Sequence, residues 1–265
     1  MTATWTDFRR ARRRSRQAWA LLAAAGLTLL AALGWFFTVG QFALGEPQAD
    51  GPTEAPVLAG AWMKPVTPVR PVPGGSAVEV LATLPVKGRA AANNYERTAF
   101  GQAWLDVDRN GCDTRNDILR RDLAGATFTE GSRCRIGAGS FREPYTGRSI
   151  DFRRGAESSK AVQIDHVVAL GDAWQKGAQQ LTAVQRQHLA NDPLNLIAAD
   201  GQANQDKGAS DAASWLPPNK AFRCHYVARQ ISVKAAYGLW VTPAEKDAMK
   251  RILDACPGQQ TVVPR

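Results

Sequence analysis

The longest apolar run of the chain lies close to its N-terminus. Residues 18–40, AWALLAAAGLTLLAALGWFFTVG, carry no charged side chain, and a helix of about 20 apolar residues is long enough to span a bilayer. Six arginines lie within residues 1–17, so we expect a basic cytoplasmic tail, a single membrane anchor and a C-terminal domain outside the cell membrane. A cleaved signal peptide, which would leave the protein secreted, is the alternative. The run is longer than a typical signal-peptide core, which favours the anchor.

The segment after this run is rich in proline. Residues 46–76 hold seven of the fifteen prolines and show neither a helical nor a strand period. This composition is typical of an extended, semi-rigid spacer. We therefore expect a linker at 46–76 and a folded domain at 77–265.

Within the domain, helical spacing alternates with the two-residue period of strands. Val162 to Asp165 alternate apolar and polar, whereas Thr242, Pro243 and Glu245 form a strong helix-start signal. The same patterns predict helices near 95–103, 114–123 with Thr114 and Asp117 as its cap, 171–180, from 182, 219–238 and 242–256, and strands within 126–153, at 161–166 and at 194–199. The predicted class is α+β, a mostly helical domain with a small β element.

Charge is distributed unevenly along the chain. Of the net charge of +9, residues 1–17 carry +5 and the other residues carry +4. A mildly basic domain is compatible with phosphate binding but does not require it.

The four cysteines agree with export. They allow three disulfide pairings, of which we favour the sequence-local one, Cys112–Cys134 and Cys224–Cys256. A zinc site is the alternative, but the sequence contains no Cys-x-x-Cys or Cys/His cluster at ligand spacing.

The predicted strand at 161–166 ends in Asp165 and His166, two residues that are costly to bury unless they are paired. Such a pair is often purely structural. Here, however, Asn195 follows in DPLNLIAAD, and Asn204 and Lys207 follow in NQDKGASD. The last two are three residues apart and share a face if that segment is a helix. The ordered set favours catalysis over a core pair.

This order of elements resembles the HNH nucleases. More narrowly, residues 95–256 are similar to the HNH domain of the GmrSD-type family found in many actinobacterial secreted proteins. The resemblance rests on FGQAWLDVDRNGCDTRNDILRRDL, IDHVVALGDAW and NDPLNLIAADGQANQDKGASDAASWLPPNK. It implies a ββα-metal core at about 160–215 and a phosphodiesterase activity.

The resemblance also implies roles for individual residues. His166 would be the general base, and Asp165 with the amide oxygen of Asn204 would bind one divalent ion, Mg²⁺ or Mn²⁺. Asn195 would tie the loop between the strands and orient the histidine, and Lys207 would steady the phosphate. The last letter of HNH is often histidine. Asparagine at 204 argues for a hard ion over Zn²⁺ or Ni²⁺.

A second candidate site lies in DVDRNGCDTRND. Asp106, Asp108, Asn110 and Gly111 match the start of a calcium loop, and Asp117 occupies its twelfth position, where glutamate is usual. A structural Ca²⁺ at this loop and a turn with an Asp-rich cap are both consistent with the sequence, and the turn is favoured.

These observations together predict an outward-facing endonuclease that cuts DNA. We expect low sequence specificity, because the sequence shows no recognisable specificity module such as a helix-turn-helix or a zinc finger. We expect a monomer, and the sequence does not identify a protein partner. RNA or another phosphodiester as substrate, and a catalytically silent nucleic-acid-binding or envelope-scaffold module, are the alternatives.

Overall fold

The computed structural model describes residues 70–156 and 158–263. The expected basic tail, the apolar segment 18–40 and the linker up to residue 69 lie outside these residues. Residues 70–76 contact the folded domain, since the backbone N–H of Arg70 donates to the carbonyl of Ala236 over 2.9 Å. Among the described residues, no helix combines the length and apolar character needed to cross a bilayer.

The described elements form an α+β domain, as predicted. The α-helices are α1 Ala77–Thr83, α2 Thr114–Asp122, α3 Ser158–Ala161, α4 Leu170–Gln175, α5 Ala183–Asn191, α6 Gly201–Lys207, α7 Arg223–Tyr237 and α8 Pro243–Asp254. The strands are β1 Ala124–Phe128, β2 Ile136–Arg142, β3 Ser149–Arg153, β4 Val162–His166 and β5 Leu196–Asp200. Single 3₁₀ turns lie at Arg97–Phe100, Ala178–Gln180 and Lys220–Phe222.

Strands β4 and β5 form an antiparallel pair that leads directly into α6. His166 at the end of β4 pairs with Leu196 at the start of β5, and α4 and α5 are inserted between the two strands. The carboxylate of Asp200 caps α6 by accepting from the N–H of Ala203 over 2.9 Å. The result is a β-β-α unit inside the region expected from the sequence.

The β4–β5 pair lies between two apolar cores, which explains why β5 is apolar at consecutive positions. Leu196 and Ala198 face a cluster that also contains Phe141 of the three-stranded sheet β1–β2–β3. Ile197 and Ala199 face a second cluster formed largely by α1, α7 and α8. Because successive side chains of a strand point to opposite faces, burial on both sides requires a continuous apolar run.

Both disulfides pair as predicted. Cys112–Cys134 joins the loop before α2 to the connection between β1 and β2. Cys224–Cys256 joins the first turn of α7 to the segment that follows α8. Each bond therefore links segments that are close in sequence, separated by 22 and 32 residues.

Three predicted element boundaries are wrong. The helix expected at 95–103 is a single 3₁₀ turn that stops at Gly101, whose φ is 75°. The helix expected at 171–180 ends at Gln175, because Gly177 has a φ of 121° that interrupts the helical path. Asp113, and not Thr114, caps α2, accepting from the N–H of Asn116 over 2.8 Å.

A fully buried cluster of charges joins α4, α7, α8 and the segment after α6. The ammonium of Lys176 lies 2.7 Å from carboxylate oxygens of Asp172 and Asp211 and 2.6 Å from Glu245. Lys234 lies 3.0 Å from the other oxygen of Glu245. Buried charges are tolerated only when they are paired in this way, so the cluster fixes how these elements meet.

Candidate active site

An open cleft of about 290 Å³ lies beside the end of β4. Asp165 and His166 of β4 and Asn204 of α6 line it, together with Tyr95 and Arg97 from the segment of the first 3₁₀ turn. The structure thus brings three of the five predicted site residues to one cavity, although α6 begins 35 residues after β4 ends.

The ring of His166 is held in one orientation. Its Nε2 lies 2.8 Å from the carbonyl oxygen of Ala190, and a carbonyl only accepts, so Nε2 carries the proton and Nδ1 keeps a free lone pair. Trp104 stacks on the ring, with centroids 6.5 Å apart and planes 18° apart. Burial, and secondarily the positive charges of Arg97 and Lys207, lower the pKa of His166 to about 3. The imidazole is therefore neutral at physiological pH.

The carboxylate of Asp165 is buried and bonded on both oxygens. Oδ2 accepts from the hydroxyl of Tyr145 over 2.6 Å, and Oδ1 accepts from the ammonium of Lys207 over 3.1 Å. Burial raises the pKa of Asp165 more than the charge of Lys207 and these hydrogen bonds lower it. The backbone of His166 also hydrogen-bonds to this carboxylate. Its two oxygens have four lone pairs in total, so the carboxylate retains an acceptor site.

Asn204 lines the same cleft. Its amide nitrogen donates to the side-chain oxygen of Gln163 over 2.8 Å, which orients the carboxamide and leaves its oxygen as an acceptor. In the described part of the chain, no three His, Cys, Asp or Glu side chains are grouped to hold a metal. One carboxylate with one carboxamide fits a hard ion that retains several waters, such as Mg²⁺.

Asn195 does not line the cleft; it is completely buried behind it. Its amide oxygen accepts from the N–H of Val168 over 2.8 Å, and its nitrogen donates to the carbonyl oxygens of Val168 and Leu189, each over 3.2 Å. It thereby ties the segment after β4 to the last turn of α5, where Ala190 holds the imidazole of His166. This arrangement agrees with an orienting role.

Lys207 also lies away from the cleft. Its side chain is 0% exposed, and its ammonium contacts Asp165 Oδ1 at 3.1 Å and the carbonyl of His166 at 2.9 Å. It lies on α6 with Asn204, as the three-residue spacing predicted. In this position it balances the buried carboxylate and has no open path to a phosphate in the cleft.

Several residues of the site could not be identified from the sequence, because they come from segments far from β4 and α6 along the chain. Arg97 is exposed, lines the cleft and also lines a small cavity of about 30 Å³ beside His166 and Trp104. Tyr145 comes from the turn between β2 and β3. The buried Asn191 accepts from the N–H of Leu105 over 2.9 Å and so fixes the segment that carries Trp104. No local motif marks any of these positions.

The acidic side chains of the candidate calcium loop accept hydrogen bonds from N–H groups of the same loop. The amide nitrogen of Asn110 donates to Asp108 and Asp117, each over 3.0 Å, and Asp106 accepts from the N–H of Gly111 over 2.9 Å. The predicted residues therefore converge, and their hydrogen bonds fit a capped turn. Calcium binding at this loop stays a prediction.

Comparisons with known proteins agree with this geometry. Residues 113–252 match the family described as GmrSD restriction endonucleases, C-terminal domain, a span that includes all five predicted site residues. The chain is 36% identical over 192 residues to an "Uncharacterized secreted protein" of Arthroderma benhamiae (strain ATCC MYA-4681 / CBS 112371), covering 72% of this chain and 89% of that relative. No solved structure matches the chain. With more than half of its length matched, the chain belongs to the family of GmrSD restriction endonuclease C-terminal domains.

Proposed function

We propose that the protein is an extracytoplasmic, metal-dependent endonuclease that hydrolyses DNA phosphodiester bonds with low sequence specificity. The observation that carries the proposal is that a neutral imidazole, His166, lines one cleft together with Asp165 and Asn204. Family membership supports a nuclease, and the two disulfides and the secreted relative support export.

His166 is the proposed general base. Nδ1 takes a proton from a water molecule, the water oxygen attacks phosphorus, the bond to the 3′ oxygen breaks, and that oxygen takes a proton from solvent. The fixed Nε2–H bond to Ala190 keeps the Nδ1 lone pair available. A phosphodiester bound near Arg97 would offset one of the positive charges that, after burial, lower the pKa of His166.

Asp165 and Asn204 are the residues that would hold Mg²⁺ or Mn²⁺. When bound, such an ion supplies positive charge to the negative charge that develops on the phosphate and on the departing oxygen. Tyr145 and Lys207 hold the carboxylate of Asp165, and Gln163 orients the carboxamide of Asn204. The cleft is thus organised by a second layer of fixed hydrogen bonds.

Arg97 is the proposed phosphate ligand in place of Lys207. Its guanidinium is exposed at the cleft, whereas the ammonium of Lys207 is buried under Asp165. A guanidinium donates two parallel hydrogen bonds to a phosphate, which suits it to orient the scissile group. Asn195 and Lys207 then act through His166 and Asp165 and do not touch the substrate.

The proposed location rests on the N-terminal sequence. We propose residues 1–17 as the basic cytoplasmic tail, 18–40 as the membrane anchor and 46–76 as the linker to an outward-facing nuclease domain, which we expect to be a monomer. Cleavage of the anchor would release the same domain into the medium.

The test is a parallel cleavage assay on the full-length, oxidised protein. Plasmid DNA and a structured RNA are incubated with Mg²⁺ or with EDTA, for the wild type, His166→Ala and His188→Ala. We expect DNA cleavage that needs the metal, a loss of about 10²-fold or more in His166→Ala, and wild-type activity in His188→Ala, which alters a histidine outside the cleft.

Other outcomes separate the alternatives. If the protein cleaved RNA and not DNA, RNA would be the substrate in place of the proposed DNA. No cleavage of either polymer by a folded wild type would support the silent binding module. Thermal unfolding of each variant shows whether His166→Ala acts on chemistry or on the fold.

A further inference from the structure

Three arginines come from the helix and the strand ends beside the active site: Arg115 lies on α2, Arg154 directly follows β3 and Arg135 directly precedes β2. Trp104, which stacks on His166, has the guanidinium of Arg115 5.9 Å from the centre of its ring. Arg154 and Arg135 follow: Arg154 donates to the carbonyl of Ile136, the residue after Arg135. Arg135 is exposed, and Arg115 and Arg154 are half-buried. We call Arg115, Arg154 and Arg135 the basic track.

Arg154 is anchored but still has donors to offer. Its Nε donates to the carbonyl of Ile136 over 2.6 Å, and one terminal nitrogen donates to the side-chain oxygen of Asn116 over 2.7 Å. A guanidinium has five N–H groups, so three remain for another acceptor. A side chain already held in place loses little conformational freedom when it binds an anion.

The positive charge of the basic track is not neutralised within the described residues. Among the ion pairs between described residues, none joins Arg115, Arg154 or Arg135 to a carboxylate. Asp113 is the acidic neighbour of Arg115 and Arg154, but its oxygens accept hydrogen bonds from Asn116.

The three charges therefore repel one another. Burial, and then the charge of Arg154, lower the pKa of Arg115; burial, and then the charge of Arg135, lower the pKa of Arg154. A fold that holds like charges together is more stable once a polyanion binds there.

We propose that the basic track binds backbone phosphates of the DNA beside the scissile linkage. The inference rests on the proposed nuclease function and adds a substrate-binding surface outside the cleft. The occupant is a phosphodiester polymer because the track begins at the aromatic ring that supports the general base and presents guanidinium groups, which match phosphate oxygens. Its contacts are to the backbone and carry no sequence preference.

Binding of a fluorescent 20-base-pair duplex tests the proposal in the full-length protein. His166→Ala serves as the uncut background, to which Arg135→Ala or, as a control, Arg251→Ala is added. Arg251 is also exposed but lies on α8, which does not line the cleft. All variants share the basic tail at residues 1–17, so its contribution to binding cancels.

We expect Arg135→Ala to weaken binding relative to Arg251→Ala. Each duplex phosphate contact changes the salt dependence by a slope of about 0.9, so the affinity ratio of the two variants should change about 3.5-fold between about 50 and 200 mM salt. Because Arg135→Ala removes repulsion, its unfolding temperature should equal or exceed that of the His166→Ala background in which it is made. A residue with a purely structural role would not combine weaker binding with unchanged or higher stability.

Equal DNA affinities and equal salt slopes for the two variants would overturn the proposal that the basic track binds DNA. It would also be overturned if Arg135→Ala had a lower unfolding temperature that accounts for its weaker binding. The nuclease function is judged separately, by plasmid cleavage with His166 intact. Cleavage by the wild type with an unchanged KM in Arg135→Ala leaves the function standing and removes the track. Absence of cleavage by the wild type removes the function itself.

Discussion

Replacing Lys207 with methionine distinguishes the two roles considered for this residue. Methionine fills similar space without charge, so Lys207→Met leaves the carboxylate of Asp165 buried, with the hydroxyl of Tyr145 as its remaining side-chain donor. Removing one partner of a buried ion pair costs about 3–5 kcal/mol, because the other charge remains without compensation. For a domain of this size, that corresponds to an unfolding temperature lower by about 6–20 °C.

Lys250→Met is the matched control. Its ammonium lies 2.9 Å from Asp254, a distance close to that in the buried pair, but the two side chains are 63% and 55% exposed. Exposed i,i+4 pairs contribute about 0.3–0.5 kcal/mol, so this variant should unfold almost like the wild type. Thermal and urea unfolding of both variants under oxidising conditions provide the comparison.

The result that refutes the reasoning is equal stability of the two variants. If Lys207→Met were as stable as Lys250→Met and yet lost activity through a higher KM for DNA, Lys207 would act on the phosphate, as the sequence suggested. A large loss of stability supports the structural assignment, in which Lys207 holds the proposed metal ligand.

Two further predictions concern stability. Gly201→Ala adds a Cβ that overlaps the carbonyl oxygen of Lys160, so α6 must shift, and we expect the free energy of unfolding in urea to fall by about 1–3 kcal/mol. The control Gly258→Ala, with no atom within 4 Å of its new Cβ, should match the wild type. Equal urea midpoints for the two variants would contradict the prediction. Burial alone would raise the pKa of Asp211, but the hydrogen bond and charge of Lys176 help to lower this pKa to about 2. The carboxylate of Asp211 therefore stabilises the fold above its unfolded pKa near 4, and this stabilisation is lost as the pH falls towards 2. Asp211→Asn should therefore be less stable than the wild type at pH 7, and a gap in unfolding free energy that persists unchanged to pH 2 would exclude this linkage.

Features that depend on local spacing were predictable from the sequence. The helices predicted from 182 and from 242 both start as predicted, as α5 and α8. Each start is a capping box, with Thr182 bonded to Gln185 and Thr242 bonded to Glu245. The order of β4, β5 and α6 also follows from patterns that span only a few residues each. Local sequence determines such elements because their hydrogen bonds close within one or two turns.

Features that depend on convergence of distant segments were not predictable. Arg97 reaches the cleft from a turn that the periodicity predicted as a longer helix, and Gly101 and Gly177 end helices that apolar spacing alone would continue. Helical spacing predicts that Lys207 and Asn204 share a face of α6, but it does not predict the ion pair between Lys207 and Asp165.

The carboxamide of Asn195 has a consequence for the chemistry of the ring that it never touches. It bridges the segment following His166 and the turn that contributes the carbonyl bonded to Nε2, so it holds the imidazole and its hydrogen-bond acceptor in a fixed relation to each other. That relation keeps the proton on Nε2 and leaves the lone pair on Nδ1. The side of the histidine that stays basic is built into the backbone before any substrate arrives.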